Sequence, residues 1–243
     1  MSRVTPDEFL ETVKPALERG DIQALRDRVL QRWAPRSLCP LLQLPDLNLR
    51  RTVVVTLGVI GDREVVGMLT RCLHDPDDQV HQFAEDALWS IWFRGGKPAA
   101  AEHFQNGTAA LAEEKYARAA DEFAIAAHHD PDFAEAYNQL AIAYYLDQKW
   151  DACRRACRRA LALMPMHFGA LAGLGHVHAH EGEVCQAIDS YRRALSINPR
   201  MAAIREAKAE LESCHRAKEH DPAAEARLLK FGKPTDPPPS ERN

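Results

Sequence analysis

Three prolines in the second half of the chain are evenly spaced, because Pro165 lies 34 residues after Pro131 and Pro199 lies 34 residues after Pro165. Each proline follows a segment of small and large apolar residues at helical spacing. A proline ends a helix because it has no backbone N–H to donate to the preceding turn. A period of this length predicts a stack of helical hairpins, and therefore an all-α fold, in this half of the chain.

The residues between the prolines agree in register when the three units begin at Ala100, Ala134 and Phe168. Position 8 of each unit is small: Gly107, Ala141 and Gly175. Position 24 holds a larger side chain: Phe123, Cys157 and Tyr191. Small residues let two helices approach closely, and larger residues fill the gaps between them.

This agreement at several positions resembles three consecutive tetratricopeptide repeats over residues 100–201. The segment 201–217 has apolar residues at helical spacing and resembles the extra helix that covers the last repeat of such proteins. The resemblance implies a right-handed α-solenoid. Residues 218–243 are polar and proline-rich, and we expect them to be disordered.

A second period, of 31 residues, runs through the first half of the chain and aligns residues 46–60 with residues 77–91. The aligned pairs are apolar: Leu49 with Val80, Val53 with Ala84, Leu57 with Leu88, and Ile60 with Ile91. This pattern resembles the short HEAT-like repeats first associated with phycobilin lyases. The predicted domains are an N-terminal helical segment 1–20, HEAT-like repeats 21–96, tetratricopeptide repeats with a capping helix 97–217, and the tail 218–243.

The two periods meet near Gly95, where the next HEAT-like helix would overlap the first tetratricopeptide helix. One interpretation is a single continuous superhelix with Trp89, Trp92 and Phe93 at the junction. The alternative is that these aromatic residues fill the HEAT-like core.

The charge is almost balanced, with 31 basic and 35 acidic residues and a net charge of −4. We therefore expect neither nucleic acid nor a membrane surface as a partner. The chain begins with polar and acidic residues, and no apolar run approaches about 18 residues, so the expected location is cytoplasmic. Six cysteines without a C-x-x-C pair are typical of reduced thiols.

No catalytic motif emerges from the sequence, and we predict a protein that is not an enzyme and needs no cofactor. Gly173-Leu174-Gly175 lies inside a predicted helix with no strand before it, which does not fit a phosphate-binding loop. His176 and His180 share one helix face and could chelate a transition metal, but no second helix supplies a matching pair. We interpret them as lining residues and predict no metal site.

Six arginines, Arg154, Arg155, Arg158, Arg159, Arg192 and Arg193, form a basic stripe on the second helices of units two and three. The simplest interpretation is a solvated outer face. A site for an acidic partner or phosphate is the alternative. Arg154 stands at position 21, where an apolar residue is more usual.

The resemblance implies a ligand groove formed by the first helix of each unit. Position 2 contributes Glu135, and the principal lining residues are Phe104, Thr108, Leu111, Asn138, Ile142, Tyr145, Ala172, His176 and His180. A clamp for a C-terminal carboxylate is not expected, because Phe104 and Thr108 replace the family's Lys and Asn. The predicted function is a non-enzymatic scaffold that binds a protein or peptide. An enzyme-associated role, bilin-lyase-like or metal-binding, and self-association are the alternatives, and the oligomeric state is left open.

Overall fold

The computed structural model describes residues 4–220 and is entirely helical over that range, with twelve α-helices, one 3-10 helix and no strand. The predicted all-α fold is confirmed. The chain divides into two compact units between Gly95 and Gly96. The predicted tail began at residue 218, but residues 218–220 belong to the last helix, which ends at His220; the rest of the predicted tail lies outside the described residues. No helix among residues 4–220 is both long and apolar enough to cross a membrane.

The first unit begins with two helices, a 3-10 helix and three further helices. They are α1 (Pro6–Leu17), α2 (Ile22–Leu30), the 3-10 helix (Pro35–Gln43), α3 (Leu47–Ile60), α4 (Val66–Cys72) and α5 (Asp78–Phe93). The 3-10 helix and α4 begin 31 residues apart, and so do α3 and α5. Pro40 lies inside the 3-10 helix, where its ring and missing N–H oppose a regular α-helix.

Equivalent aspartates start the two longest helices of this unit. Asp46 accepts a hydrogen bond from the Leu49 N–H, and Asp77 accepts one from the Val80 N–H. Asp77 also forms an ion pair with Arg51, whose guanidinium lies 2.6 Å from the carboxylate. Such caps satisfy backbone donors that the first helical turn leaves free. The period of 31 is therefore present in helix starts and caps, while the assignment to HEAT-like repeats stays a prediction.

The second unit contains three helical hairpins and a final helix. They are α6 (Pro98–Ala112), α7 (Tyr116–His129), α8 (Ala134–Leu146), α9 (Trp150–Leu163), α10 (Phe168–His180), α11 (Val184–Ile197) and α12 (Ala202–His220). The starts of α7, α9 and α11 are 34 residues apart, as are those of α8 and α10. The predicted period is confirmed, and Pro131, Pro165 and Pro199 each follow the second helix of a hairpin.

The first helices of successive hairpins are neighbours within this unit. Helix α6 contacts α8, and α8 contacts α10, whereas α7, α9 and α11 are more widely separated from one another. The stack is therefore tighter on the side of the first helices. The last helix, α12, covers α11 with Ile204 and Leu211, which are buried in a cluster with Tyr191 and Leu171. It closes an apolar surface that the third hairpin would otherwise expose.

Candidate binding groove

Helices α6, α8 and α10 present one row of side chains at the same positions in each hairpin. Position 9 is partly exposed in all three, and so is position 12. The residues are Thr108, Ile142 and His176 at position 9, and Leu111, Tyr145 and Ala179 at position 12. We call these six side chains the groove row. None of the three helices contains a lysine or arginine.

Six of the nine predicted lining residues reach solvent. Five of them belong to the groove row: Thr108, Leu111, Ile142, Tyr145 and His176. The sixth, His180, is exposed and lies one position after Ala179. Thr108 donates its hydroxyl to the Phe104 carbonyl at 2.9 Å, which leaves its methyl group and an oxygen lone pair for a ligand.

The three predicted residues at position 5 are buried instead of lining the surface. Phe104 packs between Phe123 and Phe133, with ring centroids 5.5 and 4.8 Å away. Asn138 is 2% exposed and donates to the Glu135 carboxylate. Ala172 is also buried. The side chains at these positions pack inside the stack of helices, so they are not available to contact a ligand.

Glu135 is buried too, and it takes part in a polar network that the sequence did not reveal. Its carboxylate accepts hydrogen bonds from Asn138, from Gln139 at 2.8 Å, and from His167 Nε2 at 2.7 Å. His167 Nδ1 accepts from the Ala170 N–H and so caps α10. This Nδ1 role places the ring proton on Nε2, where it donates to Glu135. The network joins the starts of α8 and α10 and fixes the spacing of the groove helices.

One end of the groove row is built from aromatic rings, which we call the aromatic cluster. Its members are Tyr145, Trp150, His176, His180 and Tyr191. Trp150 meets Tyr145 edge-on at 5.2 Å and lies 3.7 Å from the His180 ring. Trp150 is not among the predicted lining residues. The missed signal is its place at the start of α9, directly after the turn that follows Tyr145.

The aromatic cluster carries no charge from its central histidine at neutral pH. His176 Nδ1 lies 2.8 Å from the Tyr191 hydroxyl. Burial lowers the pKa of His176 to about 4, so its ring is neutral at pH 7 while it is hydrogen-bonded to the Tyr191 hydroxyl. Burial also raises the pKa values of Tyr145 and Tyr191, which keeps both hydroxyls protonated. The exposed surface of the row is therefore apolar and aromatic.

The two histidines considered as a chelating pair have separate partners, since His176 contacts Tyr191 and His180 stacks on Trp150. Within residues 4–220, the grouping whose ligand atoms lie within 4.8 Å of one another is instead His178, Glu181 and Glu183. The Arg154 guanidinium already contacts Glu181 and lies 3.7 Å from Glu183. The positive charge at this cluster is therefore the Arg154 guanidinium itself. Its hydrogen bond to Glu181 raises the pKa of Arg154.

This ion-pair cluster also explains the unusual arginine at position 21. The Arg154 side chain is only 21% exposed, because it reaches from α9 to the turn after α10. It joins the second hairpin to the third through an ion pair, whereas position 21 holds the apolar residues Ala120 and Ile188 in the other two units.

Comparison with known proteins gives one family match. The family model described as Tetratricopeptide repeat matches residues 134–167, which is the second hairpin unit. No curated protein matches the chain.

Several solved structures are similar at low identity. The first TPR of Spaghetti (RPAP3), bound to an HSP90 peptide, is 19% identical and covers 49% of this chain and 94% of that chain, with a TM-score of 0.48. The Sgt2 TPR domain from Aspergillus fumigatus is 15% identical, with coverages of 61% and 93% and a TM-score of 0.48. YrrB, a TPR protein with an unusual peptide-binding site, is 16% identical, with coverages of 84% and 92% and a TM-score of 0.44. The chain contains a tetratricopeptide repeat at residues 134–167.

Proposed function

We propose that the chain is a non-enzymatic scaffold whose groove row binds a protein or peptide segment. The main support for this proposal is that the residues at positions 9 and 12 are partly exposed in the first helix of all three hairpins. Three helices in one register offer a continuous surface, along which a segment can be held at several points. Binding through several apolar anchors is the usual way in which helical grooves hold a peptide.

The chemistry of the row favours an uncharged, apolar or aromatic ligand segment. Leu111, Ile142 and Tyr145 supply apolar area, and the exposed residue His180 lies beside the row. The only acidic residue of α8, Glu135, is buried and fully hydrogen-bonded. Because α6, α8 and α10 carry no lysine or arginine, a terminal carboxylate would find no permanently charged cation on them. The enzyme-associated alternative stays a prediction from the HEAT-like resemblance.

A peptide library displayed on phage tests this proposal. We expect enriched peptides to be rich in apolar and aromatic residues and to lose about tenfold or more in affinity when Ile142→Glu places a charge in the row. The matched control is Ile125→Glu, because Ile125 is 39% exposed on α7 and lies outside the row. The control should bind as the native chain does. Failure to enrich any sequence whose binding depends on Ile142 would contradict the proposal.

A further inference from the structure

The exposed side of α9 differs in charge from the equivalent sides of its two neighbours. Positions 22, 25 and 26 of the second unit are Arg155, Arg158 and Arg159, and all three are exposed. The same positions hold Asp121, Ala124 and Ile125 in α7, and Asp189, Arg192 and Arg193 in α11. The fold therefore does not require arginine at these positions. Exposed arginines are concentrated on α9, and α11 carries arginine at two of the same three positions.

The charge of this surface is only slightly neutralised by the chain itself. Among the described residues, Arg155 and Arg158 have no ion pair with a carboxylate. Arg192 lies 3.6 Å from Asp189, and both are exposed. Arg154, which could have added to this surface, instead turns toward Glu181 and Glu183.

One arginine of the surface is held in place by neighbouring groups. Arg159 donates to the Pro131 carbonyl at 3.1 Å, and its guanidinium carbon lies 5.6 Å from the centre of the Tyr137 ring. A guanidinium stacked on an aromatic face keeps its remaining N–H groups directed outward. A ligand carboxylate would therefore meet a donor whose position is largely fixed.

We propose that these five residues, Arg155, Arg158, Arg159, Arg192 and Arg193, form an arginine patch that binds an acidic segment of a protein partner. Guanidinium groups pair with carboxylates through two parallel hydrogen bonds, and several pairs in a row give both strength and register. The patch is a second site, separate from the uncharged groove row on α6, α8 and α10.

The overall charge of the chain favours a short acidic segment over a long polyanion. The net charge is −4, so a nucleic acid or an anionic membrane would meet repulsion from the rest of the surface. A short acidic segment interacts only within about 8–10 Å of the patch, which is the screening length at ordinary ionic strength. A short segment is therefore attracted by the arginines and is largely screened from the acidic residues elsewhere on the chain.

Fluorescence anisotropy with a fluorescein-labelled octaglutamate peptide tests the proposal on the full chain. We expect Arg155→Glu/Arg158→Glu to weaken binding by about tenfold or more. The control Arg71→Glu/Arg118→Glu changes two exposed arginines on α4 and α7 and gives the same net charge. It should stay within about twofold of the native affinity, and binding should weaken as NaCl rises from about 50 to about 300 mM. Helical circular dichroism should be native in both variants, because all four arginines are exposed.

Four outcomes would overturn the proposal. The first two are octaglutamate binding no stronger than that of octaglutamine, and equal losses of affinity in the two double variants. The other two are binding of phosphate or phosphatidylserine vesicles in place of octaglutamate, and a salt-sensitive dimer that Arg155→Glu/Arg158→Glu abolishes. The last result would assign the patch to a second copy of the chain. Ile142→Glu should leave octaglutamate binding unchanged, which separates this test from that of the groove row.

Discussion

At the scale of single residues, Gly175 lies where no larger side chain fits. A Cβ atom built on Gly175 would lie far inside van der Waals contact with the Tyr191 ring, and one on Gly107 would lie 2.7 Å from the Phe123 ring. In the middle hairpin the same two positions hold Ala141 and Cys157. The larger residue at position 8 is thus matched by a smaller one at position 24. The size of one residue compensates for the size of the other, which keeps the two helices of each hairpin close.

We predict that Gly175→Ala lowers the free energy of unfolding by about 1–2 kcal/mol, because overpacking outweighs the better helix propensity of alanine. The Tyr191 ring cannot move aside easily, since it is buried and hydrogen-bonded to His176. The matched control is Gly67→Ala in α4, where a Cβ would meet no atom within 4 Å. Urea unfolding measures both. A Gly175→Ala variant as stable as the native chain would contradict this packing account.

The partners of buried polar residues could not be predicted from the sequence. The small residues at position 8 could be predicted, because their helix partners recur at a fixed offset in every unit. The burial of Glu135 could not, since His167 is 32 residues away and becomes its partner only when the hairpins stack. Arg154 is similar, because its carboxylate partners belong to the next hairpin. Both pairs depend on packing between units, which no local pattern encodes.

At the scale of helices, the turn between the two helices of each hairpin has the same backbone in all three units. Position 15 has a positive φ each time: 58° at Glu114, 59° at Gln148 and 75° at Gly182. Only Gly182 is the residue type that adopts this conformation without cost. The fold therefore imposes the turn on Glu114 and Gln148.

The contact between α10 and α11 predicts a pH dependence of stability. His176 has a pKa of about 4 in the folded chain, against about 6.5 for an unperturbed histidine. Between these values the unfolded chain binds a proton that the folded chain does not. The free energy of unfolding should therefore fall by about 1–3 kcal/mol as pH falls from about 6.5 to about 4, and this contribution is complete above about 6.5.

The variant His176→Gln should show a shallower pH dependence in that window, because glutamine does not titrate and can still form a hydrogen bond with the Tyr191 hydroxyl. Urea unfolding at several pH values gives the slope for both chains. Equal slopes in the native chain and the variant would show that His176 is not the group responsible.

At the scale of the whole molecule, the chain separates two kinds of surface within its second unit. The groove row is uncharged and lies on the first helices, and the arginine patch lies on the second helices. The arginines of the second helices are visible in the sequence, and the resemblance to tetratricopeptide repeats implied a groove on the first helices. It did not predict which lining positions are buried. That depends on how closely neighbouring hairpins approach.

The central claim is that the groove row of α6, α8 and α10 holds the ligand segment. Amide chemical-shift mapping by ¹H–¹⁵N NMR with a library-selected peptide tests it most directly. We predict that the largest shifts fall at positions 9, 12 and 13 of these three helices, including Ile142, Tyr145 and His180. Largest shifts on α7, α9 and α11, or before Gly95, would contradict the claim.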